Sequence, residues 1–236
     1  MCVVLTFYFT NLKADYASAV YRSYINNNMT QWRKVIDEMS EVKGKSNEFL
    51  MELINYQYGY IAWCIGEGDR ELAEKYLSEA ENNLQEIENK SVKLSLVYSY
   101  KSAFYAYRIG LNRLRAPFLG PRTVKFAQMA IEHDKENPYG YIQYGNSQFY
   151  MPAVFGGSKK VALQYFKTAE KLMESDQEKI KENWNYLNLL AFIAITYTEI
   201  NDYAMAKAYY DKILKIEPDF LWVKDELYPA LLNKIK

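Results

Sequence analysis

One short pattern occurs three times along this chain, and it constrains the fold more than any other feature. Gly68-Asp69-Arg70 leads to Ala73, Leu77 and Ala80. Gly157-Ser158-Lys159 leads to Ala162, Phe166 and Ala169, and Asn201-Asp202-Tyr203 leads to Ala206, Tyr210, Ile213 and Pro218. Each is a tight polar turn, then a small residue, a large apolar residue four later, and a small or apolar one three after that. This spacing describes the second helix of a hairpin. The small residue lets the helix approach its predecessor, the large one fills the space towards the next hairpin, and a proline stops it. A recurring hairpin cannot bury its apolar face alone, so the copies must stack. Elsewhere apolar residues recur at spacings of three and four, no run alternates with period two, and the six prolines and ten glycines punctuate the segments. The chain reads as all-α.

First-helix halves of the same unit stand at Tyr141-x2-Tyr144-Gly145 and at Leu190-x2-Ile193-Ala194-x2-Tyr197. Together the halves resemble the tetratricopeptide repeat, whose signature is W-x2-L-G-x2-Y…A-x3-F…P. A weaker copy opens the chain: Tyr16 to Asn26, then Asn27-Asn28-Met29, then Trp32, Ile36 and Met39. There Trp32 stands where the family has a small residue, which puts close helix approach in question. Another copy runs from Ser91 to about Asp134 and passes through Lys135-Glu136-Asn137-Pro138 into the next. The resemblance implies a right-handed α-solenoid over 15–236, with hairpins at about 15–43, 46–88, 91–134, 138–174 and 178–216. A last helix at about 219–235 caps the open end with Phe220, Trp222, Leu227 and Leu231 facing inward.

The third and fourth repeats depart from the family pattern in the same way. Leu114 to Pro121 (LRAPFLGP) and Tyr150 to Gly157 (YMPAVFGG) replace the usual short turn, and each holds proline, an aromatic and glycine. The combination resembles bacterial tetratricopeptide proteins with an inserted turn. Equivalent turns of stacked hairpins share one edge, so these two segments are expected to lie side by side. Two readings stand. Phe118 and Phe155 either pack down on their own hairpins or form a joint recognition edge. Phe155→Ala separates them: folding stays nearly unchanged for a binding edge, while packing predicts a large loss of stability. Arg108, Arg113 and Arg115, with Arg122, cluster here. They either pair with nearby carboxylates or receive an acidic ligand, since guanidinium forks suit carboxylates.

Tyrosine is over-represented, with 23 copies, many of them in first helices. The resemblance places first helices on the concave face, where Tyr58, Tyr139, Asn146 and Asn188 are expected to line a groove for a peptide or partner protein, with Tyr144, Phe166 and Tyr210 in the core. Core packing is the competing reading for any single ring.

The remaining features exclude more than they assign. Basic and acidic residues balance at 29 each, which argues against nucleic acid as a partner. His133 is the single histidine, and Cys2 and Cys64 match no zinc spacing. His133 reads as a surface residue and Cys64 as a small buried one. Gly156-Gly157-Ser158-Lys159 lacks phosphate-loop spacing and no strand precedes it. Nothing assembles an active site, so a non-enzymatic scaffold without a cofactor is expected, and its solenoid ends allow copies to stack. The alternative is an exported accessory protein that binds a small molecule or serves a solute transporter. Met1 to Phe9 (MCVVLTFYF) is apolar and ends no membrane-length run. Residues 1–14 read as the remnant of a signal peptide, as an apolar start packed on the first helix, or as a frayed, disordered start.

Overall fold

A computed structural model describes residues 16–235 of the chain. The readings for residues 1–14 lie outside the described residues. Among those described there is no strand, and the all-α expectation holds. Helices α1 (16–25) and α2 (Met29–Glu41) form the first hairpin, α3 (Asn47–Glu67) and α4 (Arg70–Asn89) the second, and α5 (Leu94–Leu111) and α6 (Ala116–His133) the third. Then come α7 (Pro138–Tyr150) with α8 (Lys159–Glu174), and α10 (Trp184–Glu199) with α11 (Tyr203–Ile216). A single helical turn, α9 (Gln177–Ile180), precedes the fifth hairpin, which therefore starts at 184 and not at 178.

The tight turns explain why the hairpins begin where they do. Asn27 (φ 52°), Gly68 (φ 78°) and Asn201 (φ 61°) each take the left-handed conformation that ends a helix. The next residue in each, Asn28, Asp69 or Asp202, accepts a hydrogen bond from a first-turn N–H of the helix that follows. The expected small residues lie at the closest crossings: Ala73, Ala162 and Ala206 are fully buried. At Gly145 an added Cβ would sit 2.5 Å from the Phe166 ring. Trp32 resolves the departure in the first repeat. The space a small residue would leave is supplied by Gly59 on α3, whose missing Cβ makes room for both Trp32 and Trp184. The Trp32 indole donates to the Tyr56 carbonyl at 3.0 Å.

Successive hairpins pack on one another, and the fifth returns to the first. The Trp184 ring lies 5.0 Å from Trp32 and 5.8 Å from Tyr24. Its indole donates to Asn55 Oδ1 at 3.0 Å, while Asn55 and Asn185 exchange amide hydrogen bonds at 3.1 and 3.3 Å. Tyr24 donates to Asn188 and Tyr21 to Glu217, both at 2.9 Å. Helix α10 is accordingly largely apolar and buried over most of its surface, with Asn185 and Asn188 paired across the seam.

The end of the chain departs from a single capping helix. Wide π-type winding over Trp222–Leu227 passes into α12 (Tyr228–Lys234), with Pro229 supplying no N–H where the winding changes. Phe220, Val223 and Leu231 are buried as a cap requires, whereas Trp222 and Leu227 are only partly covered.

Candidate functional site

Two places stand out, and both hold residues that the sequence singles out. The first is the centre of the molecule. Tyr58 on α3, Tyr139 and Asn146 on α7, and Asn188 on α10 line one small cavity together with Ile142, Phe166 and Asn185. The spacing argument thus brings the four expected groove residues to one site. Tyr58 is buried, stacked on Tyr107 at 5.6 Å and close to Trp184 at 6.1 Å. Its hydroxyl accepts from Gln143 Nε2 at 3.2 Å, and Asn146 donates to Gln143 Oε1 at 3.3 Å. Asn188 is engaged by Tyr24. The cavity is small, with room for roughly one water. Burial pushes the hydroxyls of Tyr24, Tyr58, Tyr100, Tyr107 and Tyr139 above the usual tyrosine range. The fifth hairpin folds back on α1 and α3 and covers much of the space where the groove is expected. Of the three expected core rings, Phe166 and Tyr210 are buried and Tyr144 is half-buried against Tyr165.

The second place is the edge formed by the two departing turns. Helices α5 and α7 run side by side in the same direction. Asn137, which caps α7, donates to Ser95 near the start of α5 at 2.7 Å. Tyr139 meets Tyr100 at 6.2 Å, and toward the far ends an ionised Tyr150 would oppose ionisation of Tyr107. The segments that follow the two helices therefore leave the molecule at the same end.

Each segment is built by its own hydrogen bonds. The first is not the loop expected over Leu114 to Pro121. Asn112 accepts from the Leu114 N–H through its side chain and from the Arg115 N–H through its carbonyl, forming a 3-10 turn, Arg113–Arg115, that runs directly into α6. Pro117 fits that helix because a first-turn position has no helical partner for its N–H. Ser102 of α5 donates to the Thr123 carbonyl at 2.8 Å and holds the helix in place. The second is a tight turn around Ala153–Phe155. Phe155 and Gly157 N–H groups donate to the Pro152 carbonyl, and the Ser158 N–H reaches back to Gln148. Gly156 is left-handed (φ 94°), and at Gly157 an added Cβ would fall 1.8 Å from the Met151 carbonyl oxygen.

These ordered turns hold large apolar side chains in solvent. Leu114 is 84 % exposed, Phe118 78 %, Tyr150 67 %, Val154 84 % and Phe155 75 %. The packing reading of Phe118 and Phe155 is thereby overturned. Both rings point away from the hairpins because Thr123, Gly157 and the backbone hydrogen bonds already close them.

The arginines divide. Arg108 is taken by Glu81 through its Nε, at 3.1 Å, and its Nη2, and this partner holds its charge firmly. Arg122 lies over the Tyr105 ring at 5.7 Å. Arg113 and Arg115 are exposed, and among the described residues neither guanidinium has an ion pair or a side-chain hydrogen bond. One signal in the sequence escapes a net-charge argument. Residues 89–131 contain no aspartate or glutamate and eight lysines or arginines, and residues 137–169 again contain no acid. Of these eight, Lys90, Lys93, Lys101 and Arg108 pair with glutamates from outside the stretch, and Arg113 and Arg115 are the ones beside the apolar edge.

Elsewhere His133 is exposed with its ring 5.0 Å from Tyr98, and Cys64 is fully buried. No helix among the described residues is long and apolar enough to cross a membrane.

No family model matches this chain. No curated protein matches it either. Among solved structures, BtubC (BKLC) from P. vanneervenii has 13% identity and a TM-score of 0.41, covering 83% of this chain and 74% of that one, which is too low to carry an argument. The HusA haemophore from Porphyromonas gingivalis superposes with a TM-score of 0.60 at 21% identity, covering 78% of this chain and 94% of that one. This chain shares its all-helical fold with that haemophore.

Proposed function

We propose that this protein is a non-enzymatic binding protein that grips a flat, largely apolar small molecule between its two departing turns. The scaffold behind them is read as a tetratricopeptide-like superhelix, wound tightly enough that the fifth hairpin meets the first. The observation that carries the reading is the apolar edge. Five large side chains stand largely in solvent on the two turns and on the helix ends beside them, with the turn backbones ordered by hydrogen bonds and by Gly157. Exposed apolar area of this kind marks a binding surface, and pre-ordering it lowers the entropic cost of binding. Because α5 and α7 run side by side, the exposed side chains that follow them can meet one flat ring system from two sides. Leu, Phe, Val and Tyr tips grip a ligand and offer no nucleophile–base pair.

The haemophore that shares the fold supports a tetrapyrrole as the first ligand to try. The rival reading, a scaffold for a peptide in a concave groove, loses support because Tyr58, Tyr107 and Trp184 fill that space. Titration with a metal-free porphyrin, followed by the shift of its main absorption band, tests the proposal. The double variant Phe118→Ser/Phe155→Ser removes two apolar contacts and is expected to weaken binding about tenfold or more. Unchanged affinity in that variant would overturn the reading.

A further inference from the structure

We infer that the edge selects a ligand that carries carboxylates at its rim, read by Arg113 and Arg115; this inference rests on the binding site proposed above. The two arginines flank Leu114 on one 3-10 turn, at the mouth of the apolar surface that also includes Phe118. Their neighbours Arg108 and Arg122 are already engaged, by Glu81 and by the Tyr105 ring. Arg113 and Arg115 have no such partner among the described residues. No acid occurs in residues 89–131, or in 137–169 around the second turn. Glu199, at the end of α10, acts on Lys159 behind that turn. The positive end of α6 adds to the field at Ala116, one residue beyond Arg115.

The chemistry that matches is an amphiphile with a planar apolar body and two anionic groups on one side. The body lies against Leu114, Phe118, Val154 and Phe155, while the carboxylates meet the guanidinium forks at the solvent boundary. Screening limits the gain at so exposed a site, which makes the preference modest and salt-dependent.

The test compares mesoporphyrin, a dicarboxylate, with its dimethyl ester in one detergent-containing buffer at low and high salt. Both are titrated into the unaltered protein and into Arg113→Gln/Arg115→Gln. The expected result is an advantage for the diacid of about three- to tenfold at low salt, shrinking at high salt and lost in the double variant. Equal binding of diacid and ester to the unaltered protein would leave the apolar edge standing and overturn the inference. A diacid preference that survives in the double variant would overturn the assignment to these two arginines. Failure of both ligands to bind would remove the proposed site itself, and the inference with it. The thermal stability of the double variant, expected unchanged for exposed side chains, shows that lost preference is not lost folding.

Discussion

At the scale of single residues, Gly157 and Phe155 make opposite predictions though they are neighbours in one turn. A Cβ at Gly157 would overlap the Met151 carbonyl, so Gly157→Ala must distort the turn. The expected loss is about 1–3 kcal/mol by denaturant unfolding, the usual cost of forced backbone strain. A change under about 0.5 kcal/mol would contradict the geometry. Phe155→Ala removes a ring that touches mostly solvent and is expected to cost no more than about 0.5 kcal/mol. Cys64 gives a third check. Burial pushes its thiol up to about 11, so labelling by a thiol reagent at pH 8 should be slow in the native protein and fast after denaturation. Rapid labelling of the native state would place Cys64 nearer the surface than described. The Phe155 outcome was legible in the sequence as one of two readings. What decided it was the closure of the turn by Gly157, which spacing does not reveal.

At the scale of elements, the sequence located the hairpins because turn chemistry and small-residue spacing are local. Asn27-Asn28, Gly68-Asp69 and Asn201-Asp202 each pair a left-handed residue with a helix cap, and all three occur where the hairpins turn. The first departing segment was read as a loop from its prolines and glycine. Pro117 lies in the first turn, where a missing N–H costs little, and the helix continues through Pro121, which forgoes one intrahelical bond. The return of α10 onto α1 and α3 was not legible. Its contacts join Asn55 to Asn185 and Tyr24 to Asn188, and helical spacing reports which face a residue shares, not what comes to cover it. Trp184 lies at the centre of that seam, against Trp32, Tyr24 and Tyr58. Trp184→Ala leaves a cavity and takes one of the two donors from the Asn55 oxygen, which keeps Asn185, for an expected loss of about 3–5 kcal/mol. Because the seam ties the first hairpin to the last, unfolding of the unaltered protein should be a single transition. An open array frays from its ends. A separate early transition by far-UV circular dichroism would show that the seam does not couple them.

At the scale of the whole molecule, the buried hydroxyls and thiol make stability depend on alkaline pH. Burial keeps these groups protonated in the folded state at pH values where the unfolded chain ionises them. Their contribution is therefore complete below the unfolded pKa values and is lost as pH rises through the folded ones. For Cys64 the window runs from 9.0 to about 11, and for Tyr210 from 10.0 to about 12. Thermal stability should change little between pH 7 and 8.5 through these groups, then fall above pH 9. A midpoint that holds steady to pH 11 would contradict the burial of the tyrosine cluster. The central claim concerns place: ligand meets the apolar edge and leaves the filled centre alone. Amide hydrogen exchange with and without a metal-free porphyrin tests it most directly. Protection is predicted to increase over residues 112–120 and 150–158 and to stay unchanged around Tyr58 and Asn188. Protection confined to the helices around Tyr58, Asn146 and Asn188 would show that the ligand opens the centre, and would contradict the account.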